Sequence, residues 1–153
     1  QNSDYQLLIV GEETPDSPDS YLTELQQLIQ EKELENQVHF CGFQQETGPF
    51  YRAIDALIMA SDFETFGMST IEALAHQTLV IATNSGGSKE LLNQFPFGIL
   101  VEPGDASSFA IAMEKIAERI PKDVDFKTFQ AYFDHRRICE NIESRILSCE
   151  SVR

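Results

Sequence analysis

The chain has 153 residues, 42% apolar and 24% charged, with 25 acidic side chains against 11 basic ones and a formal net charge of −14. That length suits one domain with a core of useful size, and the composition is that of a globular protein. The acids are spread along the chain, and such a surface repels nucleic-acid phosphates and anionic lipid heads, which sets both aside as partners.

The run Tyr5 to Val10 is apolar, short and stopped by Gly11, so it reads as a buried strand rather than a core helix. Residues 12–20, with Pro15 and Pro18 among aspartates and serines, read as a loop. Leu22, Leu25, Leu28 and Ile29 recur at helical spacing and predict an amphipathic helix over 20–32. Val38 to Cys41 reads as a second strand ended by Gly42, and Pro49 suits the first turn of a short helix over 50–54. A third strand follows at Ala56 to Met59, a helix at Ser69 to His76, and a fourth strand at Leu79 to Ala82. A short helix over 88–93 and a fifth strand at Gly98 to Val101 come next. Asp105 then caps a helix whose apolar face is Phe109, Met113, Ile116, Ala117 and Ile120, ended by Pro121. A last helix is predicted over 129–147, with Phe133, Ile138, Ile142 and Ile146 on one side. Strand and helix alternate, and the strands are apolar throughout, which predicts an α/β fold with a doubly wound, Rossmann-like parallel sheet covered on both faces.

Cys41, Cys139 and Cys149 form no CxxC pair, and His39, His76 and His135 stand apart without metal-ligand spacing. The cysteines read as reduced thiols in a cytoplasmic protein, and no metal is assigned. No apolar run approaches the roughly 20 residues that span a bilayer. The chain opens on Gln1 with a strand close behind, which reads as an excised piece of a longer protein.

Ligands of open parallel sheets bind beyond the carboxyl ends of the strands. Glycines and small polar residues gather there, above all in Ser61 to Glu72 and in Thr83 to Glu90. Gly67 permits a turn that a Cβ would obstruct, and the amides of Met68, Ser69 and Thr70 would then open a helix. Such a start binds phosphate without a lysine. Glu72, one turn along, suits a vicinal diol such as a ribose, and Glu64 suits sugar hydroxyls. Plainer readings stay open beside these. Ser69 to Glu72 also spells a capping box, in which Glu72 would reach back to the Ser69 amide. Glu64 alone reads as a solvated loop acid, Gly86-Gly87 as a turn, and Phe43 and Phe66 as core residues.

The stretch Ser61 to Ala75 resembles the E-x7-E signature of the family 4 retaining glycosyltransferases. Val38 to Phe43, Tyr51 to Ala56, Val80 to Glu90 and Gly98 to Asp105 are similar to further family motifs, in order, between about Leu7 and Ile120. The resemblance implies the C-terminal, donor-binding lobe of a GT-B enzyme with two Rossmann-like lobes. A UDP- or GDP-sugar would serve as substrate, with no separate cofactor. Transfer would go with retention to a hydroxyl of a glycan or lipid-linked acceptor held by the other lobe.

By the same resemblance, Glu64 would contact the transferred sugar's hydroxyls and be the catalytic residue of the site. The amides of Gly67, Met68, Ser69 and Thr70 would hold the distal phosphate, Glu72 the ribose, and the turn at Phe43-Gln44 would border the base. The chain departs from the family in two respects. The lobe's opening strand and helix, which bring an Arg and a Lys to the diphosphate, do not precede Leu7, and Gln77 stands where the family often has glycine. Residues 1–153 are therefore expected to be one such lobe, inactive by itself, with any peripheral membrane attachment made through the other lobe. The rival readings are a sugar-nucleotide epimerase on the same scaffold and a non-catalytic interaction module.

Overall fold

A computed structural model of the chain describes residues 5–13, 21–119, 126–134 and 136–137. They form two units, Gln1–Thr47 and Gly48–Arg153, each built of parallel strands and helices. Among the described residues the ladders form two parallel sheets, one per unit.

In the first unit, β1 (Leu7–Val10) runs through α1 (Tyr21–Glu31) to β2 (Val38–Gly42). The strands pair in parallel, Leu7 opposite Val38 and Ile9 opposite Phe40, and the Gly11 amide closes the ladder on the Gly42 carbonyl at 2.9 Å. The predicted stripe of α1 is half-buried at Leu25 and Ile29, while Leu22 and Leu28 are exposed. Leu7, Val10 and Phe40 are exposed too, so the expectation of strands covered on both faces fails in this unit. One helix of three turns is too small a lid for both faces of a ladder.

The second unit holds α2 (Gly48–Ala53), β3 (Ala56–Met59), α3 (Met68–Ala75), β4 (Leu79–Thr83), α4 (Gly86–Gln94), β5 (Gly98–Val101), α5 (Ala106–Arg119) and α6 (Lys127–Tyr132). Its sheet has the order β3-β4-β5, with Ile58, Ile81 and Ile99 in register. The central strand β4 is buried at every residue, as its uninterrupted apolar run demands. Leu74 from α3, Leu91 and Leu92 from α4, and Ala112 and Ile116 from α5 join it in the core. Burying each of the larger aliphatic chains contributes about 2 kcal/mol.

Asp105 caps α5 as the sequence predicts, its carboxylate accepting from the Ser108 amide at 3.0 Å and from the Ser108 hydroxyl at 2.5 Å. Those bonds hold its pKa below the usual carboxylate range.

The last predicted helix is corrected. Helix α6 begins at Lys127 and ends at Tyr132, where Asp134 turns its carboxylate onto the amides of Arg136 and Arg137 at 3.0 and 3.2 Å. That bond pattern caps a new helical start and interrupts the predicted continuous helix. Phe129 is nonetheless fully buried and meets Phe95 edge-on, with ring centroids 5.1 Å apart. Ile120, Pro121, His135, Cys139, Cys149 and the predicted helical turns over 138–147 lie outside the described residues.

Candidate functional site

Strands β3, β4 and β5 are parallel, so their carboxyl ends share one edge, and the loop from Ala60 to Gly67 leaves that edge from β3. Three bonds fix the loop. The Thr83 hydroxyl donates to the Ser61 carbonyl at 2.6 Å. The Gly87 amide donates to the Glu64 carbonyl at 3.0 Å. The Glu64 carboxylate turns back and accepts from the Gly67 amide at 3.1 Å. Glu64 is half-buried and so is not the solvated loop acid of the plainer reading.

Gly67 is the N-cap of α3 and sits in the left-handed region, with φ 80° and ψ 41°. The capping-box reading therefore fails. Ser69 lies inside the first turn, and Glu72 reaches across to another helix, accepting from the Tyr51 hydroxyl of α2 at 3.0 Å. The first helical bond of α3 is the Ile71 amide to the Gly67 carbonyl, 3.0 Å, so the amides of Met68, Ser69 and Thr70 precede any intrahelical acceptor. Their settings differ. Met68 is 55% exposed and Ser69 half-buried, whereas Thr70 is fully buried, its hydroxyl 2.8 Å from that of Ser88 on α4. Gly67 is buried as well, and its amide is already engaged by Glu64.

The Gly86-Gly87 pair opens α4 and is not a free turn. A Cβ on Gly86 would lie 1.4 Å from the Glu64 carbonyl oxygen, and one on Gly87 would lie 2.1 Å from that of Phe66. These glycines let the start of α4 close against the loop that carries Glu64. The sequence flags the two glycines but not their neighbour, because the contact joins residues more than twenty positions apart.

The Tyr51 phenol is pushed up to about 12, chiefly by burial and then by the hydrogen bond to Glu72, with the Ser69 hydroxyl acting in the opposite sense. It stays a neutral donor to the carboxylate. Sequence reasoning placed Tyr51 at the head of a family-like segment but gave it no role, since a lone tyrosine on a short helix gives no signal of its partner.

Phe66 and Phe63 are exposed at 62% and 72%, so Phe66 is no core residue. Local connectivity explains this, since the loop is tied down through its carbonyls and its rings are left outside.

Thus the structure brings together Glu64, Gly67, Met68, Ser69, Thr70 and Glu72. Phe43 and Gln44 belong to the first unit, at the carboxyl end of β2. There Phe43 is 66% exposed, again not core, and the Gln44 side chain donates to the Cys41 carbonyl at 2.7 Å. Among the described residues no helix is long and apolar enough to cross a membrane.

Residues 1–129 match the family described as glycosyl transferases group 1. Over 92 residues, 60% of this chain, the sequence is 35% identical to the lipopolysaccharide core biosynthesis glycosyltransferase LpsE of Rhizobium meliloti, of which it covers 27%. It is 29% identical over 111 residues, 71% of this chain, to mannosylfructose-phosphate synthase of Agrobacterium fabrum, of which it covers 24%. The chain spans about a quarter of the length of these curated relatives. Among solved structures, HepE of Anabaena in complex with UDP superposes with a TM-score of 0.82 at 29% identity, over 94% of this chain and 41% of HepE. Sucrose-phosphate synthase from Thermosynechococcus elongatus gives 0.78 at 28% identity, over 97% of this chain and 39% of that enzyme. These neighbours are GT-B glycosyltransferases, and the α/β architecture with parallel sheets is theirs.

Proposed function

The chain belongs to the glycosyl transferases of group 1, and on that premise we propose that it is the nucleotide-sugar-binding domain of a retaining glycosyltransferase of family 4. The donor is a UDP- or GDP-sugar, and the acceptor is a hydroxyl of a glycan or lipid-linked saccharide. The observation that carries this reading is the left-handed Gly67 turn, which starts α3 between two acids that are each oriented by a hydrogen bond. A helix start of this kind offers amide donors and a partial positive charge to a diphosphate, even on a chain with a net charge of −14. Met68 and Ser69, whose amides precede the first intrahelical acceptor, supply the donors, and the buried Gly67 and Thr70 hold the turn in shape.

The chemistry is electrostatic. The amides and the helix dipole stabilise the negative charge that builds on the departing nucleoside diphosphate, while an acceptor hydroxyl bonds the anomeric carbon on the face the diphosphate leaves and passes its proton to the departing phosphate oxygen. Glu64 binds hydroxyls of the transferred sugar, and Glu72 binds the ribose diol. In the first unit, taken by itself, the exposed Phe43 ring beside Gln44 is a surface on which a base can stack. Support for the donor class comes from HepE, which has been solved with UDP-glucose at 27% identity to this chain.

The test is steady-state kinetics on the full-length protein with product analysis. A transferred sugar supports the reading, and an isomerised sugar nucleotide would replace it with the epimerase. Glu64→Ala should cut kcat about a hundredfold or more, and Glu72→Ala should raise the donor KM about tenfold or more. Normal kinetics in both variants would remove the site assignment.

A further inference from the structure

Tyr51 lies outside the loop and the helix start that make up the proposed site, yet its hydroxyl ends 3.0 Å from a Glu72 carboxylate oxygen. The residue is 8% exposed, and it is clamped along the length of the helix that carries Glu72. Its ring stacks on His76 at the end of α3, with centroids 5.8 Å apart and planes at 18°. Its carbonyl accepts from the Thr78 hydroxyl at 2.6 Å, just beyond the same helix end. The phenol therefore has little freedom, and whatever it bonds is held where the fold dictates.

We propose that Tyr51 is a positioning residue for nucleotide recognition: its hydroxyl sets the Glu72 carboxylate in the orientation that meets the ribose diol. The inference rests on the reading of Glu72 as the ribose-binding acid. A glutamate side chain loses rotamer freedom when it engages a ligand, and an orientation set beforehand removes that cost from binding. The phenol suits the task because burial and the neighbouring carboxylate keep it protonated, so it donates across the whole neutral range. A carboxylate held in this way also prefers a true diol over a sugar lacking one hydroxyl, since an unmatched charged acceptor is costly.

The experiment is calorimetric binding to the full-length protein of UDP, GDP and the 2′-deoxy form of each, for the wild type and for Tyr51→Phe. The wild type should prefer the tighter-binding ribonucleotide over its 2′-deoxy form by about tenfold or more, as expected for a hydrogen bond to a charged group. Tyr51→Phe should weaken the ribonucleotide by about tenfold and leave the 2′-deoxy form nearly unchanged, so that the preference collapses. A merely structural tie would weaken both nucleotides alike, and that outcome overturns the proposal. In a Glu72→Ala background, adding Tyr51→Phe should change neither affinity, and a further loss of ribose preference there also overturns it. If the wild type shows no ribose preference, the reading of Glu72 itself fails. If the wild type prefers ribose and Tyr51→Phe keeps the full preference, that reading stands and the role of Tyr51 falls.

Discussion

The carboxylate of Glu64 accepts from the amide of Gly67 at 3.1 Å, so the first acid of the site is tied to the turn that begins α3. The side chain is thereby half-buried and aimed without help from any ligand. Structure and proposed chemistry share one group here, and substitution can separate them. Glu64→Gln keeps an oxygen for the Gly67 amide but drops the charge, and it should unfold within about 0.5 kcal/mol of the wild type while losing most of its turnover. Glu64→Ala should lose turnover and also about 1 kcal/mol of stability. Paired measurements of kcat and denaturant midpoint separate the two effects.

The glycines that open α4 have a steric reason to be there. A Cβ on Gly86 or Gly87 would run into the carbonyl oxygens of Glu64 and Phe66, and Gly86 also has a φ of 48°. Gly86→Ala and Gly87→Ala should each cost about 3 kcal/mol, with α4 pushed off the loop and the acid at position 64 misplaced. Urea unfolding checks the cost, and donor binding by whatever remains folded should weaken in step.

Gln77 follows the end of α3 at a φ of 65°, the left-handed region that glycine occupies without strain. The Thr78 amide bonds the Ala73 carbonyl at 2.9 Å and the Gln77 amide bonds that of Leu74 at 3.0 Å, the paired bonds of a Schellman motif. Glycine is the usual residue at that position, so the glutamine is a departure the fold tolerates at a cost. Gln77→Gly should stabilise the protein by about 1 kcal/mol and leave kinetics unchanged, as a thermal melt and an activity assay would report.

The Tyr51 phenol sets an alkaline limit. Its folded pKa, about 12, lies above the ordinary 10.0, so the folded state keeps a proton that the unfolded chain releases. Its contribution is fully present below about pH 10 and is lost as pH rises toward 12. Other tyrosines and lysines titrate in the same window, so the readout is a difference. The stability gap between the wild type and Tyr51→Phe should shrink by about 2 kcal/mol between pH 9 and pH 12. A gap that does not change with pH would contradict it.

The strands and most helices of the second unit were legible in the sequence because local signals agree with the fold. The apolar run at Leu79 to Ala82 is the buried β4, and Asp105 caps α5 as its type and position require. Three features were not legible, and two of them rest on contacts between distant residues. The Gly86-Gly87 pair looks like a turn until the Glu64 and Phe66 carbonyls are seen beside it. Ser69 to Glu72 looks like a capping box because the sequence cannot show Tyr51 competing for the carboxylate. Phe43 and Phe66 look like core by residue type, yet both lie on turns whose backbones are held from within. The break at Asp134 was local and readable: an aspartate before two residues with helical amides is a cap signal inside an otherwise regular stripe.

The central claim is that a nucleoside diphosphate rests on the start of α3. Hydrogen–deuterium exchange of the full-length protein, followed by mass spectrometry with and without saturating UDP or GDP, tests it most directly. The account predicts slowed exchange in peptides that span residues 64–72, strongest at the amides of Met68 and Ser69 that open α3, and its loss in Glu72→Ala at the same nucleotide concentration. Protection that appears elsewhere in the chain while these peptides exchange at the free rate would contradict it.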